Sequence, residues 1–250
     1  MQFSKSLRNW SINGLDYLNS NGKDNVVCVH LLNLNDLDYI KLLNLLSDDE
    51  LIRARLFHFD KDRIKFIKVR GALRLILGQY LDIYPEMIQF NYGNNGKPEL
   101  KFPDSNQLGF NLSHSGNRAI IGITDKYLIG IDIEEVNNKI DPIDIAHRFF
   151  SENEIMLLDN AMDNEKHKLF YQLWTRKEAL LKAVGIGIST PLENIDVSDF
   201  TGDRYISLST NGNDHELKKW YARNLIDDKS FIATIVTNHY IYEIKIIESI

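Results

Sequence analysis

Two stretches of helical periodicity constrain the fold of this chain more than any other feature. In residues 62–81, Ile64, Ile67, Leu73 and Leu77 recur near one helical face, and in 165–184 Leu169, Leu173, Leu180 and Val184 do the same. Each is the longest helical segment of its half. Each follows shorter helical segments and precedes a glycine-containing turn and a run of short β-type segments. A helix with one apolar face must bury it against another layer, and the strands that follow supply one. The order predicts two similar α+β halves meeting near residue 127. The recurrence is one of architecture rather than of residues, and its spacing is too long for a solenoid.

The rest of the chain fills in this outline. Residues 1–24 are polar and rich in Asn, Ser and Gly, which reads as a loosely held N-terminal extension. Residues 26–32 suit a strand and 36–46 a helix, and Ser47-Asp48-Asp49-Glu50 is a capping box opening a helix through Phe57. Gly93-Asn94-Asn95-Gly96-Lys97-Pro98 is a turn between two strands, with further strands at 110–112, 119–124 and 128–134. In the second half, helices are expected at 142–149, 152–162 and 165–184, the last ended by Gly185 and Gly187. Strands follow near 195–197, 205–208, 217–221, 231–236 and 241–246. Lys65, Lys68, Arg70 and Arg74 charge the remainder of the first long helix, as a solvated face or in part as a phosphate contact.

Composition removes several function classes. The net charge of −6 argues against non-specific nucleic-acid binding. The single cysteine, Cys28, excludes an intrachain disulfide framework and a Cys-based zinc cluster, and its apolar neighbours make it a buried strand residue. No signal-peptide core and no run approaching the ~20 apolar residues of a membrane span is present, so a cytoplasmic protein with no membrane partner is expected.

Four groups of residues carry possible chemistry. In Gly130-Ile131-Asp132-Ile133-Glu134 the strand alternation puts Asp132 and Glu134 on one face, ~7 Å apart, with Ile131 and Ile133 opposite. Such a pair is either a Mg²⁺ site completed by phosphate oxygens and water or an exposed face paired to lysines. Glu178 and Lys182 are helical i,i+4 neighbours, with Trp174 one turn back on the same side. They form a surface ion pair, or a third metal carboxylate beside a phosphate-neutralising cation. Asn111-Leu112-Ser113-His114-Ser115-Gly116 runs from a strand into a tight turn whose hydroxyl, imidazole and amides suit an anion, or simply stabilise the turn. Ser151-Glu152-Asn153-Glu154 is a capping box, which makes Glu154 a helix-start residue before a catalytic base. There is no P-loop, no His-Glu-x-x-His, no dinucleotide fingerprint and no nucleophile elbow.

Taken together, these segments resemble the surfactin-synthetase-type 4′-phosphopantetheinyl transferases. The matching pieces are Gly96-Lys97-Pro98, Phe110 to Ser115, Gly130 to Glu134, Arg148-Phe149-Phe150-Ser151 with Glu154, and Trp174-x-x-Lys177-Glu178-Ala179-x-x-Lys182 ending in Gly185-x-Gly187. A weaker match covers Glu50-x-x-Arg53-Ala54-x-x-Phe57 and Asp62-Arg63 through Leu73-Arg74. The resemblance implies an α+β pseudo-dimer of two similar α/β halves (residues 25–127 and 128–250), each with helices packed on a small, mainly antiparallel sheet. It implies a monomer with coenzyme A in the cleft between the halves and a Mg²⁺ cofactor. The implied reaction moves 4′-phosphopantetheine from coenzyme A to a serine of an apo acyl- or peptidyl-carrier protein.

By the same resemblance Asp132, Glu134 and Glu178 are the metal carboxylates and Lys182 lies near the pyrophosphate. Lys97 and Pro98 flank the adenine, Ser113 and His114 meet the coenzyme A phosphates, and Arg53 lies near the 3′-phosphate. Glu178 is the expected general base, directly or through water, with Glu154 as its rival. Two other classes are open at this stage: a module that binds coenzyme A or a carrier without transfer, and a Mg²⁺-dependent phosphohydrolase.

Overall fold

The computed structural model describes residues 18, 25–93, 96–102, 108–125, 127–185, 191–199, 205–207 and 219–248. Of the expected N-terminal extension only Leu18 falls among them, buried in the N-terminal core. The rest of 1–24, the turn residues Asn94 and Asn95, and Gly187 lie outside the described residues.

The first half runs β1 (Val26–Asn33), α1 (Tyr39–Leu43), α2 (Asp48–Arg55), α3 (Asp60–Leu81), β2 (Gln89–Tyr92), β3 (Pro98–Phe102), β4 (Leu108–Ser115) and β5 (Arg118–Asp125). The second runs β6 (Ile129–Glu135), α4 (Pro142–Phe149), α5 (Glu152–Asn160), α6 (Asp163–Val184), β7 (Tyr205–Ser207), β8 (Lys219–Asp227), β9 (Phe231–Thr237) and β10 (Glu243–Glu248). One sheet has the order β10-β1-β5-β4, the other β6-β9-β8-β7, and β2 and β3 form a separate hairpin. All pairings are antiparallel except β1 with β10. Among the described residues each half has one 22-residue helix beside a four-stranded sheet, the first sheet completed by β10 from the second half, an α+β fold of two similar halves.

The layers follow from which faces are apolar. Val69, Leu73, Ile76 and Leu77 of α3 pack with Cys28, Leu32, Ile121 and Ile123 of the first sheet. Leu173, Leu180 and Ala183 of α6 pack with Ile232 and Val236 of the second. The opposite faces of the two sheets meet each other, with Val27, Val29 and Ile120 against Ile131, Ile133, Ala233 and Ile235. The order is helix, sheet, sheet, helix. Central strands are covered on both sides, which is why all seven residues of β9 are buried and its sequence shows no polar alternation. Among the described residues no helix is long and apolar enough to cross a membrane.

Three expectations need correction. The division at residue 127 assigns the last strand to the second half, yet β10 pairs with β1 in register Val26↔Glu243 to Leu31↔Glu248. The chain end thus returns to cover an edge of the first sheet that would otherwise present unpaired amides and carbonyls. Residues 195–197 are not a strand. A 3-10 turn at Leu192–Asn194 leads into a segment whose backbone groups are taken by two buried side chains, Glu154 and Lys177, instead of by a ladder. Arg70 and Arg74, read as part of a charged outer face, are buried.

Arg74 is held on every side. It donates from Nε to Glu50 Oε2 (2.6 Å), from Nη1 to the Pro85 and Ile88 carbonyls (both 2.9 Å), and from Nη2 to Ser47 Oγ (2.8 Å). It ties the capping box of α2 to α3. A buried cation needs such a full set of partners to offset its lost hydration.

Candidate active site at the seam of the two halves

The two edge strands β4 and β6 run side by side where the halves join, and side chains rather than a backbone ladder connect them. Alternate residues of β4 face β6. Asn111 Oδ1 accepts from the Ile131 amide (2.9 Å), Ser113 Oγ donates to Asp132 Oδ1 (2.8 Å), and Ser115 Oγ donates to Glu134 Oε2 (2.8 Å) while accepting from the Glu135 amide (3.0 Å). The expected tight turn at Ser113 and His114 is instead continuous strand, paired Ser113↔Ile120 and His114↔Ala119. The turn comes at Gly116, whose φ is +54°. The extended backbone of β4 replaces the tight turn that would have gathered these amides into an anion nest.

Helix α6 lies directly on β6 because Gly130 has no side chain. A Cβ at that position would stand 1.8 Å from the Ala179 carbonyl oxygen and 2.4 Å from the Ala183 amide nitrogen. The close approach brings the residues next to those alanines, Glu178 and Lys182, to the acids of β6. Lys182 Nζ donates to Asp132 Oδ1 (2.6 Å), Ser113 Oγ (2.9 Å) and the Ile131 carbonyl (3.3 Å). The expected i,i+4 surface pair with Glu178 is not what this lysine makes; it crosses to the strand.

Burial and mutual repulsion set the electrostatics. Asp132 is 3% exposed and its Oδ2 is buried with no hydrogen-bond partner. Burial, and then the Asp132 charge, push the Glu134 carboxyl up to about 7 and raise the half-buried Glu178 in the same direction. Three acids at one seam with a single ammonium among them are under-neutralised. Hard carboxylate oxygens, one of them orphaned, are the donor set that suits Mg²⁺. Among the described residues no three such donors converge closely enough to hold an ion as they stand. The Lys182 ammonium occupies the position against Asp132, so uptake of a metal requires side-chain rearrangement.

The remaining site candidates extend from this centre along the N-terminal half. His114, on the opposite face of β4 from Ser113, is exposed. Desolvation by adjacent chain, followed by the charges of Lys65 and Lys182, pushes its imidazole pKa down. Lys97 Nζ donates to the Lys182 carbonyl at the end of α6 (2.6 Å), and Pro98 opens β3 opposite Tyr92. Arg53 is exposed, its guanidinium 5.7 Å from the Phe66 and Tyr92 ring centres, and a Cβ on Gly96 would stand 3.6 Å from its Nη2. Arg53, Gly96, Lys97 and Lys182 thereby form a continuous line of cationic groups and backbone leading to Asp132.

Glu154 does not join them. It is 0% exposed, and both oxygens are engaged: Oε2 by the Ser151 amide and Lys177 Nζ (2.8 Å each), Oε1 by the Val197 amide (2.7 Å). Fully buried and engaged on both oxygens, this carboxylate is closed to a substrate. Its role is the capping box and the anchoring of 192–197, and the expectation of a rival base is corrected on that ground. Lys177, fully buried beneath Phe150, is its structural partner. The sequence shows Ser115 only as part of the Asn111–Gly116 stretch and Lys65 only within the charged face of the first long helix. The period-2 stripe Asn111-Ser113-Ser115 is the signal that identifies the former.

Comparison with known proteins places the chain in a family. A model of the 4′-phosphopantetheinyl transferase superfamily matches residues 128–236, and a model of a 4′-phosphopantetheinyl transferase N-terminal domain matches 35–124. The 4′-phosphopantetheinyl transferase HetI of Nostoc is 40% identical over 192 residues, 76% of this chain and 77% of its own length. A Synechocystis relative is also 40% identical, over 151 residues that are 60% of this chain and 61% of that protein. The 4′-phosphopantetheinyl transferase Sfp of Bacillus subtilis is 32% identical over 157 residues, 63% of this chain and 68% of its own. One matched region falls within each half, and the seam between the halves holds the acids, the lysine and the serine stripe. The chain belongs to the 4′-phosphopantetheinyl transferase superfamily of enzymes.

Proposed function

We propose that this protein transfers 4′-phosphopantetheine from coenzyme A to a serine of an apo acyl- or peptidyl-carrier protein, with Mg²⁺ bound by Asp132, Glu134 and Glu178. The observation that carries the reading is the meeting of Asp132, Ser113 and Lys182 at the seam, with Glu134 and Glu178 electrostatically coupled to them. In the reaction the carrier serine oxygen forms a bond to the phosphorus that bears the pantetheine. The bond from that phosphorus to the bridging oxygen breaks, and adenosine 3′,5′-bisphosphate leaves with the electron pair. When bound, the metal supplies Lewis-acid neutralisation of the pyrophosphate.

The chain's own residues do the rest. The Lys182 ammonium and the Ser113 hydroxyl bond Asp132 in the metal-free protein, and once Asp132 turns to the metal they are released to meet the negative charge that grows on the leaving phosphate. Lys65 and His114 add positive potential and a ring on the approach, and Arg53 with the Gly96-Lys97-Pro98 segment supports the adenine and 3′-phosphate end. Glu178 takes the serine proton, directly or through one water. In the metal-free protein, burial and the neighbouring Asp132 raise its pKa above the usual carboxylate value.

The likeness to Sfp supports a surfactin-type enzyme; with it we propose a broad carrier range, a place in peptide, polyketide or related secondary-metabolite assembly, and a cytoplasmic monomer. The test is chromatographic release of adenosine 3′,5′-bisphosphate from coenzyme A with and without an apo carrier. Release only with the carrier is expected. Release without it means a hydrolase, and no release with any carrier means a binding module; either outcome refutes the proposal.

A further inference from the structure

Glu134 and Asp132 share a face of β6 but are not held alike. Asp132 receives two hydrogen bonds on Oδ1, from Ser113 and from Lys182. For Glu134, among the described residues, the one side-chain hydrogen bond is from Ser115, to Oε2 at 2.8 Å. That hydroxyl has a single proton to give. Its acceptor side is already occupied by the Glu135 amide at 3.0 Å, so the proton is committed to Glu134. Gly116, next in the chain, keeps the turn tight against the same strand: a Cβ there would stand 2.4 Å from Glu135 Oε2. Ser115 is thus clamped between two consecutive residues of β6 and points at one carboxylate oxygen.

We infer that Ser115 is a positioning residue whose hydroxyl fixes the rotation of the Glu134 carboxylate relative to its neighbours Asp132 and Glu178. The inference rests on the proposed Mg²⁺ role of those acids. Hydrogen-bond partners of metal ligands orient the donors in advance, and their loss weakens metal affinity even though they never touch the ion. The bland alternative is that Ser115 merely satisfies the exposed Glu135 amide on an edge strand. That alternative predicts a change in the stability of the metal-free protein and none in its affinity for metal.

The experiment is calorimetric titration of Mg²⁺ into the full-length wild type, Ser115→Ala and Ser115→Thr, with thermal melting of each metal-free protein and the KM for Mg²⁺ measured separately from kcat. Ser115→Ala is expected to bind Mg²⁺ about tenfold more weakly and to raise the KM for Mg²⁺ by a similar factor, while Ser115→Thr stays within about twofold of wild type. If Ser115→Ala does not fold, Ser115→Cys replaces it with the same expected loss, because a thiol is a poor donor. Wild-type affinity in Ser115→Ala, or equal weakening in Ser115→Thr, overturns the role of Ser115 and leaves the metal reading standing. A wild type that takes up no Mg²⁺ overturns both.

Discussion

Replacing Gly130 by alanine tests whether the approach of α6 to β6 builds the site. The new Cβ would stand 1.8 Å from the Ala179 carbonyl oxygen and 2.4 Å from the Ala183 amide nitrogen. Both are backbone atoms, so no rotamer change relieves the overlap, and α6 must retreat by about 1.5 Å to regain ordinary contact. Overpacking of this kind costs about 1–3 kcal/mol in stability. The catalytic consequence is larger, because Glu178 and Lys182 ride on α6 while Asp132 stays on β6. A retreat of that size carries Glu178 and the base of the Lys182 side chain away from Asp132 and Glu134. A misplacement of about 1 Å is enough to cost about 100-fold in turnover. Urea denaturation followed by circular dichroism measures the first effect, and carrier modification under saturating coenzyme A measures the second. A Gly130→Ala protein with wild-type stability and turnover would refute the claim that this glycine sets the helix–strand distance.

Glu178 and Glu154 should separate cleanly. Glu178→Gln is expected to lose about 10²–10⁴ in turnover with little change in urea stability, as for loss of a general base. Glu154→Gln should instead cost about 3–5 kcal/mol by stranding the buried Lys177 ammonium, while turnover per folded molecule stays near wild type. His30 supplies a pH test: burial lowers its pKa from 6.5 to about 4, and its ring lies 3.0 Å from the Tyr80 hydroxyl. The unfolded chain binds the extra proton between those values, so stability is full above pH 6.5 and declines as pH falls toward 4. The loss is about 3 kcal/mol for a shift of about 2.5 units. His30→Gln should flatten that part of the stability–pH curve, and an unchanged curve would show that His30 is not its source.

The features legible in the sequence are those with a local cause. Both long helices, the capping boxes at Ser47 and Ser151, and the run of alternating acids in β6 announce themselves through periodicity and spacing. The features that were not legible depend on contacts far along the chain. Arg74 reads as a surface charge until Glu50, Pro85 and Ile88 close around it. Residues 195–197 read as a strand because nothing local reveals that Glu154 and Lys177 will claim their backbone. The last strand reads as part of the second half because parallel pairing with β1 has no signature in either segment. At the site, the acids and the lysine stand out as residue types. The stripe that holds two of those acids was hidden because Ser-His-Ser-Gly looks like a turn when its strand partner is unknown.

The most direct measurement of the central claim is the intact mass of an apo carrier protein after incubation with this enzyme, coenzyme A and Mg²⁺. A gain of one phosphopantetheine is expected, absent when the carrier serine is alanine, when the metal is chelated, or when Asp132 is replaced by asparagine. No mass gain on any carrier in a broad panel, or an undiminished gain with Asp132→Asn, would contradict it.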